Sequence, residues 1–118
     1  MKTIVLDTNF VLHCLEFKID FTREIDRLMQ ERYMLFIIDK TLKELEGKKH
    51  GKLAKDIINK TGIKLIKAPE GLTVDNALLD LPPGETLVGT QDKALKEKLK
   101  KRGTGVITIR QRRYLITV

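Results

Sequence analysis

The sequence has little of what secreted, membrane-spanning or nucleotide-binding proteins need. A single cysteine, Cys14, excludes an internal disulfide framework and is typical of a reducing compartment. The longest run of apolar side chains, residues 34–38, is far shorter than the ~20 residues of a membrane-spanning helix. Asp7 interrupts the apolar N-terminal stretch too early for a signal peptide, and no glycine-rich phosphate loop is present. We therefore expect a soluble, cytoplasmic protein that makes no membrane contact.

The order of apolar and polar segments predicts one α/β domain over residues 1–118. A chain of 118 residues is long enough to bury a core without disulfides. Apolar runs predict strands at residues 3–6, 33–38, 63–66, 86–88 and 106–109, with a short sixth at 114–118. Helical spacing and capping residues predict helices at 10–15, from Thr22 to Met29, from Asp39 to Gly47, and at 53–62, 74–81 and 92–102. This alternation predicts a three-layer α/β/α sandwich with a central, mainly parallel sheet.

The positive charge is concentrated near the end of the chain. The formal net charge is +7, and residues 93–113 contain nine Lys or Arg and a single acid, Glu97. A localised basic surface attracts polyanions, of which nucleic-acid backbone is the commonest. The alternative is a solvated, Lys-rich helix of the kind found on heat-adapted surfaces. Charge alone does not separate the two interpretations.

Four acidic residues fall at or near the carboxyl ends of predicted strands. Asp7 follows the first strand and Asp92 follows the fourth, while Glu44 and Asp75 lie on flanking helices. Ligands of open parallel sheets bind beyond these strand ends, at the topological switch point. Carboxylates that share a cavity repel one another, and a divalent cation removes that cost. Oxygen ligands favour Mg²⁺ or Mn²⁺, with Asn9 and Thr90 as supporting polar groups.

Each acid also has a purely structural interpretation. Asp92 and Thr90 can cap the helix that follows them, and Asp75 can cap its own helix. Glu44 can be an ordinary exposed helical residue. Asp7 is the exception, because a carboxylate placed directly after a buried strand requires a partner. Taken together, the positions at strand ends favour a functional cluster.

Four segments of the chain resemble the motifs of the PIN domain family. They are VLDTN at residues 5–9, LKEL at 42–45, DNALLDL at 75–81 and TQDKALK at 90–96. No single segment is specific, but the four in this order in a short chain form a strong pattern. The tail at residues 105–115 looks most like archaeal PIN proteins related to the small-subunit rRNA-processing group, and less like VapC-type toxins.

The resemblance implies a fold, an activity and a set of partners. It implies a three-layer α/β/α fold and Mg²⁺- or Mn²⁺-dependent cleavage of RNA, with Asp7, Glu44, Asp75 and Asp92 as the metal-binding, catalytic acids. It also implies that the chain forms a homodimer, and that it acts with an antitoxin or a ribosome-assembly partner. Asn76 departs from the pattern, since many relatives have a second Asp there. Residues 81–85 also depart from it, but all four core acids are retained.

Basic residues near these motifs are candidates for RNA contact. Lys48 and Lys49 follow Glu44, Lys93 and Lys96 follow Asp92, and the densest arginine cluster is Arg110, Arg112 and Arg113. The arginine guanidinium suits bidentate phosphate contacts better than lysine does. For Lys48 and Lys49 a solvated loop is an equally good interpretation.

Two functions remain open from the sequence. The first is a metal-dependent endoribonuclease, acting in rRNA processing or as a VapC-type toxin. The second is a non-catalytic RNA-binding scaffold in ribosome biogenesis that uses the basic surface and needs no metal. A receiver-like phosphoryl-transfer domain is disfavoured, because paired acids after the first strand are absent.

Overall fold

Strands and helices alternate along the chain in the computed structural model, which describes residues 1–118. The strands are β1 (Lys2–Leu6), β2 (Tyr33–Ile38), β3 (Lys64–Ile66), β4 (Thr86–Gly89), β5 (Gly105–Arg110) and β6 (Tyr114–Thr117). The helices are α1 (Thr8–Glu16), α2 (Phe21–Leu28), α3 (Lys40–Glu44), α4 (Gly51–Lys60), α5 (Val74–Leu79) and α6 (Lys93–Lys101). None of these helices combines the length and the apolar character needed to cross a bilayer.

One six-stranded sheet organises the molecule, in the order β3-β2-β1-β4-β5-β6. The first five strands are parallel, and β6 pairs with β5 in the antiparallel sense. The predicted mainly parallel sheet is therefore confirmed, and the structure pairs β1 with β4 at its centre. The strand order reverses between β1 and β4, which makes their carboxyl ends the topological switch point.

Two apolar cores lie on opposite faces of the sheet, which gives the predicted three layers. Successive residues of β1 alternate between them: Ile4 and Leu6 pack with α1, α2 and α4, whereas Val5 packs with α5 and α6. Alternation arises because neighbouring strand side chains point to opposite faces. A strand segment that is buried on both faces has a continuous apolar sequence, as residues 4–6 of β1 do.

Several element boundaries differ from the sequence prediction for local reasons. Asp20, rather than Thr22, caps α2, because its Oδ1 accepts hydrogen bonds from the Arg23 N–H and the Thr22 hydroxyl. Helix α4 begins at Gly51, earlier than predicted. A Cβ at this position would lie 1.9 Å from the Leu45 carbonyl oxygen, so only glycine fits this approach.

Side chains of α2 cover the outer edge of β6. The Leu115 N–H donates to Glu24 Oε1 (3.0 Å), and the Leu115 carbonyl accepts from the Arg27 guanidinium (2.9 Å). Glu24 and Arg27 also pair with each other at 3.1 Å. Unpaired edge groups are a template for another strand, so this ion pair closes the sheet at Leu115.

We expect Gly89→Ala to destabilise the protein, because Gly89 permits close packing beneath the switch point. A Cβ there would lie 2.8 Å from Leu6 Cδ2 and 3.1 Å from Phe10 Cε2, and both side chains are fully buried. Overpacking of this kind typically costs about 1–3 kcal/mol. Urea denaturation measures the change in the free energy of unfolding.

Gly84→Ala is the matched control, because a Cβ at Gly84 meets nothing within 4 Å. Its free energy of unfolding should stay within about 0.5 kcal/mol of the parent value, as for most surface changes. Equal stability of the two variants would contradict the packing role of Gly89.

Candidate active site

Backbone hydrogen bonds fix the residue that follows β1 against β4, and the residue that follows β4 against β5. The Asp7 N–H donates to the Gly89 carbonyl (2.8 Å), and the Thr90 N–H donates to the Ile107 carbonyl (3.0 Å). These bonds extend the parallel pairing by one residue beyond each strand. The sheet itself therefore sets the distance between Asp7 and Thr90.

Thr90 joins two of the predicted acids. Its hydroxyl donates to Asp7 Oδ2 (3.0 Å) and accepts from the Asp92 N–H (3.1 Å). Thr90 is fully buried and Asp7 is 6% exposed. Asp92 caps α6, because its Oδ1 accepts from the Leu95 N–H (3.0 Å). Capping uses one oxygen of Asp92 and leaves Oδ2 without a hydrogen bond, so the structural and functional interpretations are compatible.

Glu44 is held by threonines that sequence reasoning missed. It is the last residue of α3, and its Oε1 accepts from the Thr8 hydroxyl at 2.5 Å. The Thr8 hydroxyl lies 3.2 Å from that of Thr41, and both threonines are buried. Their sequence positions indicate both threonines as neighbours of the acids. Thr8 directly follows Asp7, and Thr41 precedes Glu44 by three residues, on the same side of a helix.

Asp75 lies in the first turn of α5 but does not cap that helix. Thr73 is the cap, since its hydroxyl accepts from the Asn76 N–H (3.2 Å), and the capping interpretation of Asp75 is wrong. Burial raises the pKa of Asp75, and the charges of Asp92 and Glu44 raise it further. Lys98 of α6 lowers this pKa. Asp75 therefore shares an electrostatic environment with two of the other acids.

Asp7 is the most perturbed carboxyl of the group. Burial raises its pKa to about 6, and the charges of Asp75 and Glu44 add to the increase. Hydrogen bonds from the Thr90 hydroxyl and the Thr8 N–H oppose the increase but do not cancel it. A buried carboxylate surrounded by other carboxylates is therefore ionised at neutral pH at a cost in stability.

The donor chemistry of the cluster fits a hard divalent cation. All four acids present oxygen atoms only, and a cation would relieve the repulsion that raises the pKa of Asp7 and Asp75. No group of three or more Asp, Glu, His or Cys side chains is arranged to hold an ion directly. Mg²⁺ commonly binds through one or two carboxylates and keeps several waters, which suits an open set of this kind.

The other predicted site residues are spread around this cluster. Asn9 is exposed on α1 and makes no hydrogen bond to any of the acids, whereas its neighbour Thr8 does. Lys48 and Lys49 are exposed in the turn between α3 and α4. Lys93 and Lys96 lie on α6, directly after Asp92.

The three arginines near the end of the chain do not form one patch. Arg110 lines a cleft beside α6, and the Arg112 guanidinium lies 5.4 Å from the centroid of the Phe17 ring. Arg113 instead lines a groove beside α2. They diverge because the β5–β6 turn places Gln111 and Arg112 at positive φ (54° and 55°), which turns successive side chains apart. The three arginines are therefore close in sequence but do not share one surface.

The chain is similar to known proteins along nearly its whole length. The profile of the PIN like domain family matches residues 4–112. Ribonuclease VapC4 of Methanocaldococcus jannaschii is 30% identical, covering 97% of this chain and 95% of its own length. The solved structure of the PIN domain endonuclease Utp24 superposes with a TM-score of 0.85 at 22% identity, over 98% of this chain and 90% of that one.

We expect Asp7→Asn to stabilise the protein at neutral pH when EDTA removes divalent ions. The pKa of Asp7 is raised in the folded state, so ionisation lowers stability as the pH rises from about 4 to about 6. The variant does not undergo this loss of stability, and above that pH window its free energy of unfolding should exceed that of the parent by about 3 kcal/mol. Urea denaturation at about pH 7 and about pH 4 tests this, and the advantage should vanish at the lower pH.

Asp56→Asn is the control, because Asp56 is an exposed acid on α4, away from the cluster. Its stability should follow that of the parent protein at both pH values. A destabilised Asp7→Asn protein at neutral pH would show that the Asp7 carboxylate is stabilised by its surroundings, contrary to this description.

Proposed function

The chain belongs to the PIN-like domain family, and from this membership and its cluster of acids we propose that it is a metal-dependent endoribonuclease. It would hydrolyse phosphodiester bonds of RNA. The observation that carries the proposal is the convergence of Asp7, Glu44, Asp75 and Asp92 on the carboxyl ends of the central strands, where ligands of such sheets bind. The names of two similar proteins, a ribonuclease and an endonuclease, support the same reaction class.

In this proposal the four acids would hold Mg²⁺ or Mn²⁺ in part through bound water, because no three of them are arranged to hold an ion directly. A bound divalent cation supplies Lewis-acid activation of water and neutralises charge on the phosphate. The chain's own residues set the positions of the oxygen donors. Thr90 fixes Oδ2 of Asp7, and Thr8 fixes Oε1 of Glu44 while Oε2 makes no hydrogen bond. Because these threonines are buried, their hydroxyls lack competing solvent partners.

The biological context is a narrower proposal. The ribonuclease relative favours a VapC-type role with an antitoxin partner, whereas a role in rRNA processing rests on the family resemblance of the tail at residues 105–115. A ribosome-assembly partner and a homodimer remain predictions from the family resemblance, as does a cytoplasmic location. A dimer would not form through β6 at Leu115, where Glu24 and Arg27 occupy the edge.

A non-catalytic RNA-binding scaffold is the second candidate. The observation in its favour is the excess of cations on α6 and β5, none of which forms an ion pair with an acid. Such a protein would bind RNA without a divalent ion and would retain binding after loss of Asp7.

Cleavage of labelled RNAs in the presence of Mn²⁺ tests the two candidates. We expect cleavage by the parent protein, none after EDTA, and a loss in Asp7→Asn and Asp92→Asn of at least the roughly 100-fold that supporting groups alone can cost. Asp56→Asn should cleave as the parent does. Full cleavage by Asp7→Asn would overturn the assignment, and RNA binding without cleavage by any variant would favour the scaffold.

We further expect Thr8→Val to reduce the rate of cleavage, because it removes the hydrogen bond that orients Glu44. Loss of such a supporting contact typically costs about 10–100-fold in activity or metal affinity. The kcat should fall while KM for RNA changes little, and Thr8→Ser should restore the rate because serine keeps the hydroxyl. Thr117→Val, an exposed threonine on β6, is the control. Normal activity in Thr8→Val would show that Glu44 needs no such support.

A further inference from the structure

A cleft lies between α6 and the β5–β6 hairpin, on the side of α6 that carries most of its lysine side chains. Four cations line it: Lys93, Lys96 and Lys100 of α6 and Arg110 of β5. Only one acid, Glu97, lines the same cleft. We call this surface the α6 cleft.

The cations of the α6 cleft are not neutralised by the protein. The three ion pairs of the molecule lie elsewhere, at Lys2–Glu31, Glu24–Arg27 and Glu46–Lys55. The Lys96 ammonium has a single polar contact in the cleft, the Thr108 hydroxyl at 3.5 Å. Four cations and one acidic side chain on one concave surface leave an excess of positive charge, which produces a local potential that attracts anions.

The loop at residues 90–92 lies between the acidic cluster and two residues that line the α6 cleft, Thr108 and Ile109. Thr90 contacts Asp7 and Asp92 on the acidic side of this loop. Gln91 faces the other way: its Oε1 accepts from the Ile109 N–H (2.7 Å) and from the Thr108 hydroxyl. Thr108 and Ile109 belong to the lining of the cleft. A strand leaving the acidic cluster across this loop would therefore enter the cleft directly.

We propose that the α6 cleft binds the backbone phosphates of a single RNA strand, adjacent to the bond that is cut at the acidic cluster. This inference rests on the proposed nuclease function and adds the path of the substrate. Lys93 and Lys100 are seven residues apart, about 10 Å along a helix, which is long enough to contact more than one phosphate. The cleft has a volume of about 340 Å³, at the lower end of the range for sites that hold small ligands, so it can receive a short segment of an extended strand.

The apolar part of the cleft supports the same occupant. Ile109, Ile116 and Val118 line it beside the cations. Proteins that hold single strands combine a positive groove for the backbone with aromatic faces on which bases stack. In the α6 cleft the side chains beside the cations are aliphatic, so they offer unstacked bases apolar contact without stacking. A duplex keeps its bases stacked inside and would leave these apolar side chains without contact.

The test compares two triple variants that lose the same charge. One replaces the cleft lysines (Lys93→Gln, Lys96→Gln and Lys100→Gln), and the other replaces three exposed lysines near the opposite edge of the sheet (Lys60→Gln, Lys64→Gln and Lys67→Gln). Both are made in the Asp7→Asn protein and studied in EDTA, so that the RNA stays intact. Fluorescence anisotropy gives the Kd for a short labelled single strand and for a duplex of the same composition, over a range of salt concentrations.

We expect the cleft triple variant to raise the Kd for the single strand by about 10–100-fold at low salt. The slope of log Kd against log salt should fall by about 2, since each phosphate contact on a single strand contributes about 0.7. The control variant should change the Kd less than about 3-fold, as expected where no phosphate is contacted. The duplex should bind more weakly than the single strand, with little difference between the two variants.

Three results would overturn the proposal. An equal increase of the Kd in the two triple variants would mean that RNA binding depends on net charge and not on the cleft. Equal binding of duplex and single strand through the cleft lysines would exclude a strand-sized site. Equally tight, lysine-dependent binding of polyglutamate would indicate an acidic protein partner instead.

A separate measurement, RNA cleavage, tests the nuclease assignment. Cleavage is measured separately on the protein that retains Asp7, with Mn²⁺ present. Cleavage that persists without cleft-dependent binding overturns the α6 cleft alone. Cleft-dependent binding without any cleavage overturns the nuclease and the adjacency to a cut bond.

Discussion

The parallel pairing of β1 with β4 is the constraint on which the rest of this protein depends. It places Leu6 opposite Gly89 and continues as a hydrogen bond from Asp7 to the Gly89 carbonyl. The absence of a side chain at Gly89 allows Leu6 and Phe10 to pack against that point. Asp7 and Thr90 are therefore adjacent as a direct consequence of strand register, although 83 positions separate them in the chain. A displacement of β4 by one residue would move Thr90 to the opposite face and abolish the contact.

The acidic cluster persists in the fold although its carboxylates repel one another. Burial and neighbouring carboxylates raise the pKa of Asp7 to about 6, so the folded protein is strained by charge at neutral pH. Neutral groups counter this strain: Thr90 donates to Asp7, and Thr8 donates to Glu44. Hydroxyl donors stabilise a carboxylate without adding a competing cation that would block a metal. The cluster thus remains available to a divalent ion, which would release the stored repulsion.

Charges of opposite sign are kept apart by a three-residue loop. Thr90 and Asp92 lie on the acidic side, where the Thr90 hydroxyl accepts from the Asp92 N–H. Gln91 lies on the basic side, where its Oε1 accepts from the Ile109 N–H of β5. Lys98 is the one residue of α6 that lowers the pKa of Asp75, whereas Lys93 and Lys96 line the cleft beyond the loop. Separation of this kind leaves an acidic cluster and a basic cleft on adjoining parts of one small sheet.

The sequence alone determined the fold class and the identity of the acids. Apolar runs and helical spacing are local properties, so the alternation of strands and helices, and hence a parallel sheet, could be read directly. The positions of Asp7 and Asp92 after strands followed from the same pattern. Only the tertiary structure decided which polar groups meet. The contacts of Thr8 with Glu44 and of Gln91 with β5 depend on packing between distant segments, and the divergence of Arg110, Arg112 and Arg113 depends on backbone angles in one turn. Side-chain direction is set by register and dihedral angle, which residue order does not specify.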